Sequence, residues 1–332
     1  MTQQTQQPQP QPEDIRIRIL TLLENQSGKF LSGEQIGKIL GVSRNAVWKH
    51  INHLKKYGYE IQSVSNKGYC MTPQEAVYNG HEIAKRLKRP AEVHFMDNVD
   101  STNNVAKQMM HQGCGPGNVV VALEQTAGKG RLGRQWNSSG GKGVWLSYCL
   151  RPTFSIEKIG LVTLAGACAV CELLIEQGFD AGIKWPNDIL IHGKKVCGIL
   201  TETVFEETRI DFVVVGVGLN MSQTKEDFGP DLENSATSLR IESGKNVNMS
   251  VMAAALIDQL QLYFSYLEKG ETKKIIDCWK SYSITLGRTI LTTINGKKEP
   301  VMALDIRQDG ALTVRKQDGT ITDIISGEIL LD

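Results

Sequence analysis

The stretch Gly128–Arg134, GKGRLGR, fits the pattern G-x-G-x-x-G, yet its flanks exclude the fold best known for that pattern. A dinucleotide loop joins a strand to a helix inside a βαβ unit. Here the β-prone run NVVVALEQ precedes the loop and polar QWNSSGGKG follows it. The next apolar run, GVWLSYCLRP, is again strand-like, and no helix signal begins at Gly133. The G-x-x-x-x-G-K-[ST] loop is absent, as are the H-R-D and D-F-G motifs that accompany a kinase glycine loop. The loop is therefore predicted to join two strands, and the chain to be α+β rather than doubly wound.

The rest of the central region agrees. EVHFMDNV and AGIKW read as strands, as do ILIHGKKVCGILTETVF, with a turn at His192-Gly193, and IDFVVVGVGLNM; the last three are expected as consecutive antiparallel strands in a largely antiparallel sheet. Helices are expected over STNNVAKQMMHQG, over about 157–178, and where Met252, Leu256, Leu260, Tyr263 and Leu267 recur at helical spacing. From Leu286 short alternating strands are separated by Asn295-Gly296, Asp309-Gly310 and Asp318-Gly319, predicting a small β-barrel over 284–332.

The N-terminal part has a different period. Residues 1–12 are almost wholly Gln, Pro and Thr and are expected as a disordered tail. Ile15, Ile19 and Leu22 then repeat at i, i+4, i+7. Ser32 and Gln35 form a capping box ahead of Ile36, Ile39 and Leu40, and Gly41 ends that helix. Ser43 caps a third helix whose stripe is Val47, Ile51 and Leu54. YEIQSVSNKGYCM supplies a hairpin around Asn66-Lys67-Gly68. Three helices and a hairpin over 13–73 make a winged helix-turn-helix. The whole chain carries a formal charge of +1, but Glu13–Thr72 holds nine Lys/Arg against five Asp/Glu, which points to an anionic partner for this module. Ser43, Arg44, Asn45 and Lys49 would face a DNA major groove, and Lys67 on the wing would meet phosphate. A small helical interaction module is the alternative. Residues 74–90 read as a linker containing a short helix, and 91–283 as the central domain.

The seven cysteines are an odd count with no disulfide framework. Cys168 and Cys171 lie inside LVTLAGACAVCELLI and read as small core residues. No leader pattern and no apolar run near 20 residues is evident, so the expectation is cytoplasmic, with no membrane partner.

Three motifs carry chemistry. In GKGRLGR, glycines let backbone N–H groups close on a ligand while Lys129, Arg131 and Arg134 supply positive charge, a cradle for phosphate or for a carboxylate becoming a mixed anhydride. A surface hairpin with solvated cations would look the same. Lys184-Trp185-Pro186-Asn187-Asp188 places an amide and a carboxylate on a proline turn, where Asp188 would suit a nucleotide-bound Mg²⁺, or would simply make a turn. Lys195, entering the strand KKVCGIL, would neutralise a substrate carboxylate or sit in water at a hairpin end. Asp100-Ser101-Thr102-Asn103 reads first as a helix N-cap, and secondly as a site for a polar ligand head.

Together these residues resemble the bifunctional biotin–protein ligase and biotin operon repressor family. DSTN at 100–103, EQTAGKGRLGRQW at 124–136, KWPND at 184–188, KKVCGIL at 194–200 and GVGLN at 216–220 match in order and spacing, from residue 13 to the end of the chain. The resemblance implies a winged helix, an α/β ligase domain and an SH3-like barrel. It implies formation of biotinyl-5′-AMP from biotin and Mg²⁺·ATP, then transfer to a lysine of a carboxylase biotin carrier domain. It assigns Ser101, Thr102, Asn103, Gln125, Lys129, Gly130, Arg131 and Lys195 to biotin, with Arg131 and Lys195 catalytic, and Trp136, Lys184, Asn187, Asp188 and Asn220 to ATP or adenylate. It implies an adenylate-bound homodimer on operator DNA. No metal site is fixed, Mg²⁺ entering with ATP near Asp188. This chain departs at Lys129, where the family commonly has arginine, and at Leu132, where a basic residue is frequent. Lysine keeps the charge but not the bidentate fork. Two rival readings remain: a lipoyl or octanoyl ligase, which does not need the DNA module, and a sensor without enzyme activity.

Overall fold

The computed structural model describes residues 12–26, 28–56, 58–71, 77–207, 209–294 and 296–331. The tail up to residue 11, Pro73 and Asn295 of the Asn295-Gly296 turn lie outside the described residues. The chain divides into two compact units, Met1–Glu82 and Ile83–Asp332.

In the first unit α1 (Pro12–Asn25), α2 (Gly33–Leu40) and α3 (Arg44–Lys56) precede β1 (Ile61–Val64) and β2 (Gly68–Met71). Ile19, Ile36, Val47 and Ile51 meet in one fully buried core. The capping box forms: Gln35 N donates to Ser32 Oγ (3.1 Å) and Ser32 N to Gln35 Oε1 (2.8 Å). Gly41 closes α2 in the left-handed region. β1 and β2 pair antiparallel, and Leu31 bridges Tyr69 on the outer side of β2. That bridge requires glycine at 68, whose φ is +102° and whose added Cβ would meet Leu31 O at 2.1 Å. A short helix α4 (Gly80–Ala84) follows.

The second unit opens with β3 (Val93–Val99), α5 (Thr102–His111), β4 (Val119–Gln125), β5 (Gly143–Leu150) and α6 (Gly160–Glu176). It continues with β6 (Ala181–Lys184), β7 (Asp188–Ile191), β8 (Lys194–Glu206), β9 (Arg209–Asn220), α7 (Lys225–Phe228), α8 (Leu239–Ser243), α9 (Met249–Glu268) and α10 (Thr272–Tyr282). Strands β3 to β9 form one seven-stranded sheet, ordered β3-β4-β5-β9-β8-β7-β6. β3 and β4 run parallel; every other pair is antiparallel.

Successive strand residues point to opposite faces, and β9 shows which helix covers which face. Val214 packs with Ala106 and Met110 of α5, while Val215 faces Gly166 of α6. The stretch Ile156–Glu176 is, by length and composition, apolar enough to cross a membrane, which corrects the expectation of no such run. It is the core helix, packed on the sheet and against α9 and α10, with Cys168 and Cys171 fully buried.

The last five strands, β10 (Thr289–Ile294), β11 (Lys297–Ile306), β12 (Leu312–Lys316), β13 (Ile321–Ile324) and β14 (Ile329–Leu331), form an antiparallel sheet ordered β13-β12-β11-β10-β14. The Asp309-Gly310 and Asp318-Gly319 turns fall between strands as expected, with left-handed glycines.

Candidate functional site

From Gly198 to Val204 in β8 and from Phe212 to Gly218 in β9, even-numbered residues face α5 or the space beyond its end, and beyond the end of α5 that face is lined by glycine. A Cβ on Gly216 would meet Asn103 Oδ1 at 2.3 Å, and one on Gly218 would meet Trp136 Nε1 at 2.4 Å. Backbone without side chains thus lets Asn103 and Trp136 lie directly on the sheet. Beside them is a cleft of about 520 Å³, and all thirteen residues that the resemblance assigns to biotin and adenylate line it. Five cations border the cleft (Lys129, Arg131, Arg134, Lys184 and Lys195) against two carboxylates, Asp188 and Glu328. Such a cleft favours an anionic ligand.

The DSTN segment starts α5, but Ser101 does not cap it. Its side chain makes no capping bond. Gln125 from β4 takes that part: Thr102 N donates to Gln125 Oε1 (2.8 Å), Thr102 Oγ1 donates to the same oxygen (3.0 Å), and Gln125 Nε2 donates to Ser138 Oγ (2.7 Å). Asp100 instead accepts from Ser101 N (2.6 Å) and from Asn104 Nδ2 (2.5 Å). Beneath this corner, Asn103 Nδ2 donates to Glu202 Oε2 (2.7 Å) and Lys107 Nζ to Glu202 Oε1 (2.8 Å). Burial alone would raise the Glu202 carboxyl, but its bonds to Lys107 and Asn103 outweigh that and hold it below the ordinary glutamate range.

The basic loop joins β4 to β5 and contains one tight turn, Arg131–Gly133, with Leu132 in the left-handed region and 76% exposed. No helix follows, as the sequence predicts. Each cation is held. Lys129 Nζ donates to Asn104 Oδ1 (2.6 Å). Arg131 donates to Asn187 Oδ1 (2.9 Å) and to Gly327 O (3.0 Å). Arg134 makes a bidentate pair with Glu328, both contacts at 2.6 Å. Burial pushes Arg131 below its ordinary value, and the nearby Asp188 charge opposes that.

KWPND runs from the end of β6 through a cis Trp185–Pro186 bond into β7. Trp185 is anchored by its N–H to Thr285 Oγ1 (3.0 Å). Lys184 is lowered chiefly by burial, with Asp188 opposing and Lys195 adding to the depression. Lys195 Nζ lies 2.6 Å from Asp188 Oδ1, an ion pair by distance but not aligned as a hydrogen bond. The same ammonium stands 5.2 Å from the Trp136 ring centre. Trp136 Nε1 is buried without a partner, so the cleft wall holds an unused donor. Among the described residues no cluster of three or more His, Cys, Asp or Glu could hold a metal. Asp188 together with a nucleotide's phosphates fits Mg²⁺, which takes few protein ligands.

In the first unit Ser43 N-caps α3 through Ala46 N (3.2 Å). Ser43, Arg44, Asn45, Lys49 and Lys67 are all exposed, as a groove-facing set must be.

The comparisons with known proteins cover both units. Residues 95–220 match the model of the biotin/lipoate A/B protein ligase family, and residues 16–70 match an HTH domain. Over 324 residues the chain is 37% identical to the bifunctional ligase/repressor BirA of Bacillus spizizenii, covering 94% of this chain and 97% of that protein. This chain belongs to the BirA family. The Escherichia coli BirA is 30% identical over 316 residues, covering 95% and 96% of the two chains. Among solved structures, the biotin protein ligase from Aquifex aeolicus in complex with biotin and ATP superposes with a TM-score of 0.63 at 26% identity, over 73% of this chain and 98% of that one.

For this BirA-family chain, sequence reasoning missed the far wall of the site. Gly327 and Glu328, which lead into the last strand, and Ile329, its first residue, line the cleft, as do Phe228 and Leu232 beyond β9. Nothing local marks them; Glu328 is 194 residues from Arg134. The structure also shows how three expected ligand contacts are employed. Asn187 Nδ2 donates to Ile199 O (2.8 Å) while its oxygen takes Arg131. Asn220 Nδ2 donates to Thr237 O (3.0 Å) and its oxygen accepts from Gln223 (3.0 Å). Asn103 is committed to Glu202 and lies 2.5 Å from Ser147 Oγ. These amides hold the frame of the site.

Proposed function

We propose that this chain activates biotin with ATP and transfers it to a carrier protein, and that the product of the first step controls DNA binding. The observation that carries the reading is the convergence of five separated motifs on one cation-rich cleft. In the first half-reaction a biotin carboxylate oxygen attacks the α-phosphorus of ATP, the bond to the β-phosphate oxygen breaks, and pyrophosphate leaves. Two anions meet in that step. Lys195 and Arg131 offset their repulsion, and Lys129, Lys184 and Arg134 add to the field. Asp188 would hold Mg²⁺ with the phosphates. Ser101, Thr102 and Gln125 face the biotin head, and Trp136 offers an indole surface to the adenine. In the second half-reaction a lysine amine of the carrier domain attacks the acyl carbon, AMP leaves, and the amine gives up its proton. No enzyme nucleophile is required.

Titration with substrates tests this directly. Purified protein with ATP, Mg²⁺ and biotin should release pyrophosphate, and lipoate should not replace biotin. Release with lipoate alone would overturn the assignment of substrate. The regulatory half is that the adenylate-loaded chain dimerises and places two copies of α3 on an operator with two-fold symmetry. On this reading the chain works in the cytoplasm, where ATP, carrier and DNA meet. Sedimentation with and without biotin and ATP tests the dimer; a monomer under both conditions would remove it.

A further inference from the structure

The chain has five tryptophans. Trp145, Trp185 and Trp279 are buried and Trp136 is partly covered in the cleft, but Trp48 stands 55% exposed on α3. No core position explains it. The stripe that buries α3 is Val47, Ile51 and Leu54, and Trp48 lies outside it, one turn beyond Arg44 and three residues after Asn45. Residues three and four apart are neighbours on a helix surface, and long side chains lean toward the helix N-terminus. Trp48 therefore leans toward the end of α3 that carries Ser43, Arg44 and Asn45, the end whose side chains reach base edges in a helix-turn-helix. The surrounding exposed side chains, Arg44, Asn45 and Lys49, are cationic or polar.

We propose that Trp48 is a base-reading residue: its indole makes apolar contact with a thymine C5-methyl group in the major groove. This rests on the DNA-binding reading above and adds a sequence preference to it. Of the polar side chains beside Trp48, Arg44 and Asn45 can hydrogen-bond base edges and Lys49 suits a phosphate, whereas an indole has only its single N–H to offer either partner. In the major groove the thymine methyl is the apolar feature that a flat hydrophobic side chain can distinguish. The occupant is DNA rather than a protein surface because α3 carries no carboxylate and its exposed residues nearest Trp48 in sequence include Arg44 and Lys49, in a module that carries nine cations against five anions.

The test uses the full chain with ATP, Mg²⁺ and biotin. A duplex is selected from a randomised pool by the wild-type protein. Each thymine of that duplex is then replaced by deoxyuridine, which lacks only the methyl group. Affinities are measured at one salt concentration for wild type, Trp48→Ala and Trp48→Phe. The expected result is one position per half-site where deoxyuridine weakens wild-type binding roughly 5- to 10-fold. Trp48→Ala should weaken binding by a similar factor and be indifferent to deoxyuridine there, while Trp48→Phe keeps part of the discrimination. The salt slope should not change, biotin-dependent pyrophosphate release should match wild type, and the affinity of Trp48→Ala for an unselected duplex should also match wild type, showing that the winged helix still folds. Equal affinity of Trp48→Ala and wild type for the selected duplex, multiplying effects of the two changes, or a loss of dimer with no change in base preference would each overturn the proposal. If the wild type enriches no sequence, the DNA-binding reading itself fails, which is a distinct outcome.

Discussion

The two units place their candidate functional residues in opposite ways. In the first, Ser43, Arg44, Asn45 and Lys49 belong to one stretch of chain, point into solvent and make few bonds to the rest of the protein. In the second, thirteen residues from five stretches face one another, and most are tied to a partner before any ligand arrives. The first arrangement suits a ligand far larger than the module, which supplies its own shape. The second suits a small ligand that must be desolvated and aligned. A groove-reading surface can therefore change residue by residue, whereas a change in the cleft travels along its bonds.

Four variants sharpen or break that contrast. The largest effect is expected for Lys195→Ala, which should reduce biotin-dependent pyrophosphate release by about 10²- to 10³-fold, as for loss of a charge-stabilising group. Operator affinity of the protein supplied with pre-formed adenylate should change far less; a parallel collapse would mean the units are not functionally separable. Arg44→Ala should weaken operator binding about 10-fold or more, the scale of one good base contact, with ligation unaltered. Should ligation fall as well, the local character of the first site is wrong. Glu328→Ala frees Arg134 from its bidentate pair. Because that pair is largely exposed, adenylate should leave only about two- to five-fold faster, measured by chasing labelled adenylate. An unchanged rate would show that the last strand does not govern the loop.

The smallest effect is Glu202→Gln. The folded-state carboxyl lies below its ordinary value of 4.5, so its contribution is complete above that pH and lost as pH falls through the lower folded value. The variant should melt about 2–4 °C below wild type at neutral pH, and the gap should close below pH 4.5. A gap that does not vary with pH would mean the charge contributes nothing.

The same contrast explains what the sequence made legible. The winged helix could be read because its signals are local: a capping box at Ser32, a stripe at Val47, Ile51 and Leu54, and an Asn-Lys-Gly turn. The strand–loop–strand setting of GKGRLGR could be read for the same reason. Which groups join across the cleft could not, because Arg131 meets Gly327 and Arg134 meets Glu328 over nearly two hundred residues, and sequence spacing carries no such information. Ser101 shows the limit at close range. Its position is that of an N-cap, but the cap is made by Gln125 from another strand, and only the register of β4 against α5 reveals it.

That cap by Gln125 has one more consequence. An amide oxygen and a carboxylate oxygen serve equally well at a helix start, and the negative one is favoured by the helix dipole. Gln125→Glu, with the Ser138 hydroxyl turned from Trp136 O to donate to the new oxygen, should therefore settle α5 at least as firmly as the native residue, yet it sets a negative charge beside the pocket for an acid. Folding and affinity would move in opposite directions from the exchange of one NH₂ for one oxygen. Position 125 is thus a place where selection for a stable protein and selection for a working one would choose different residues.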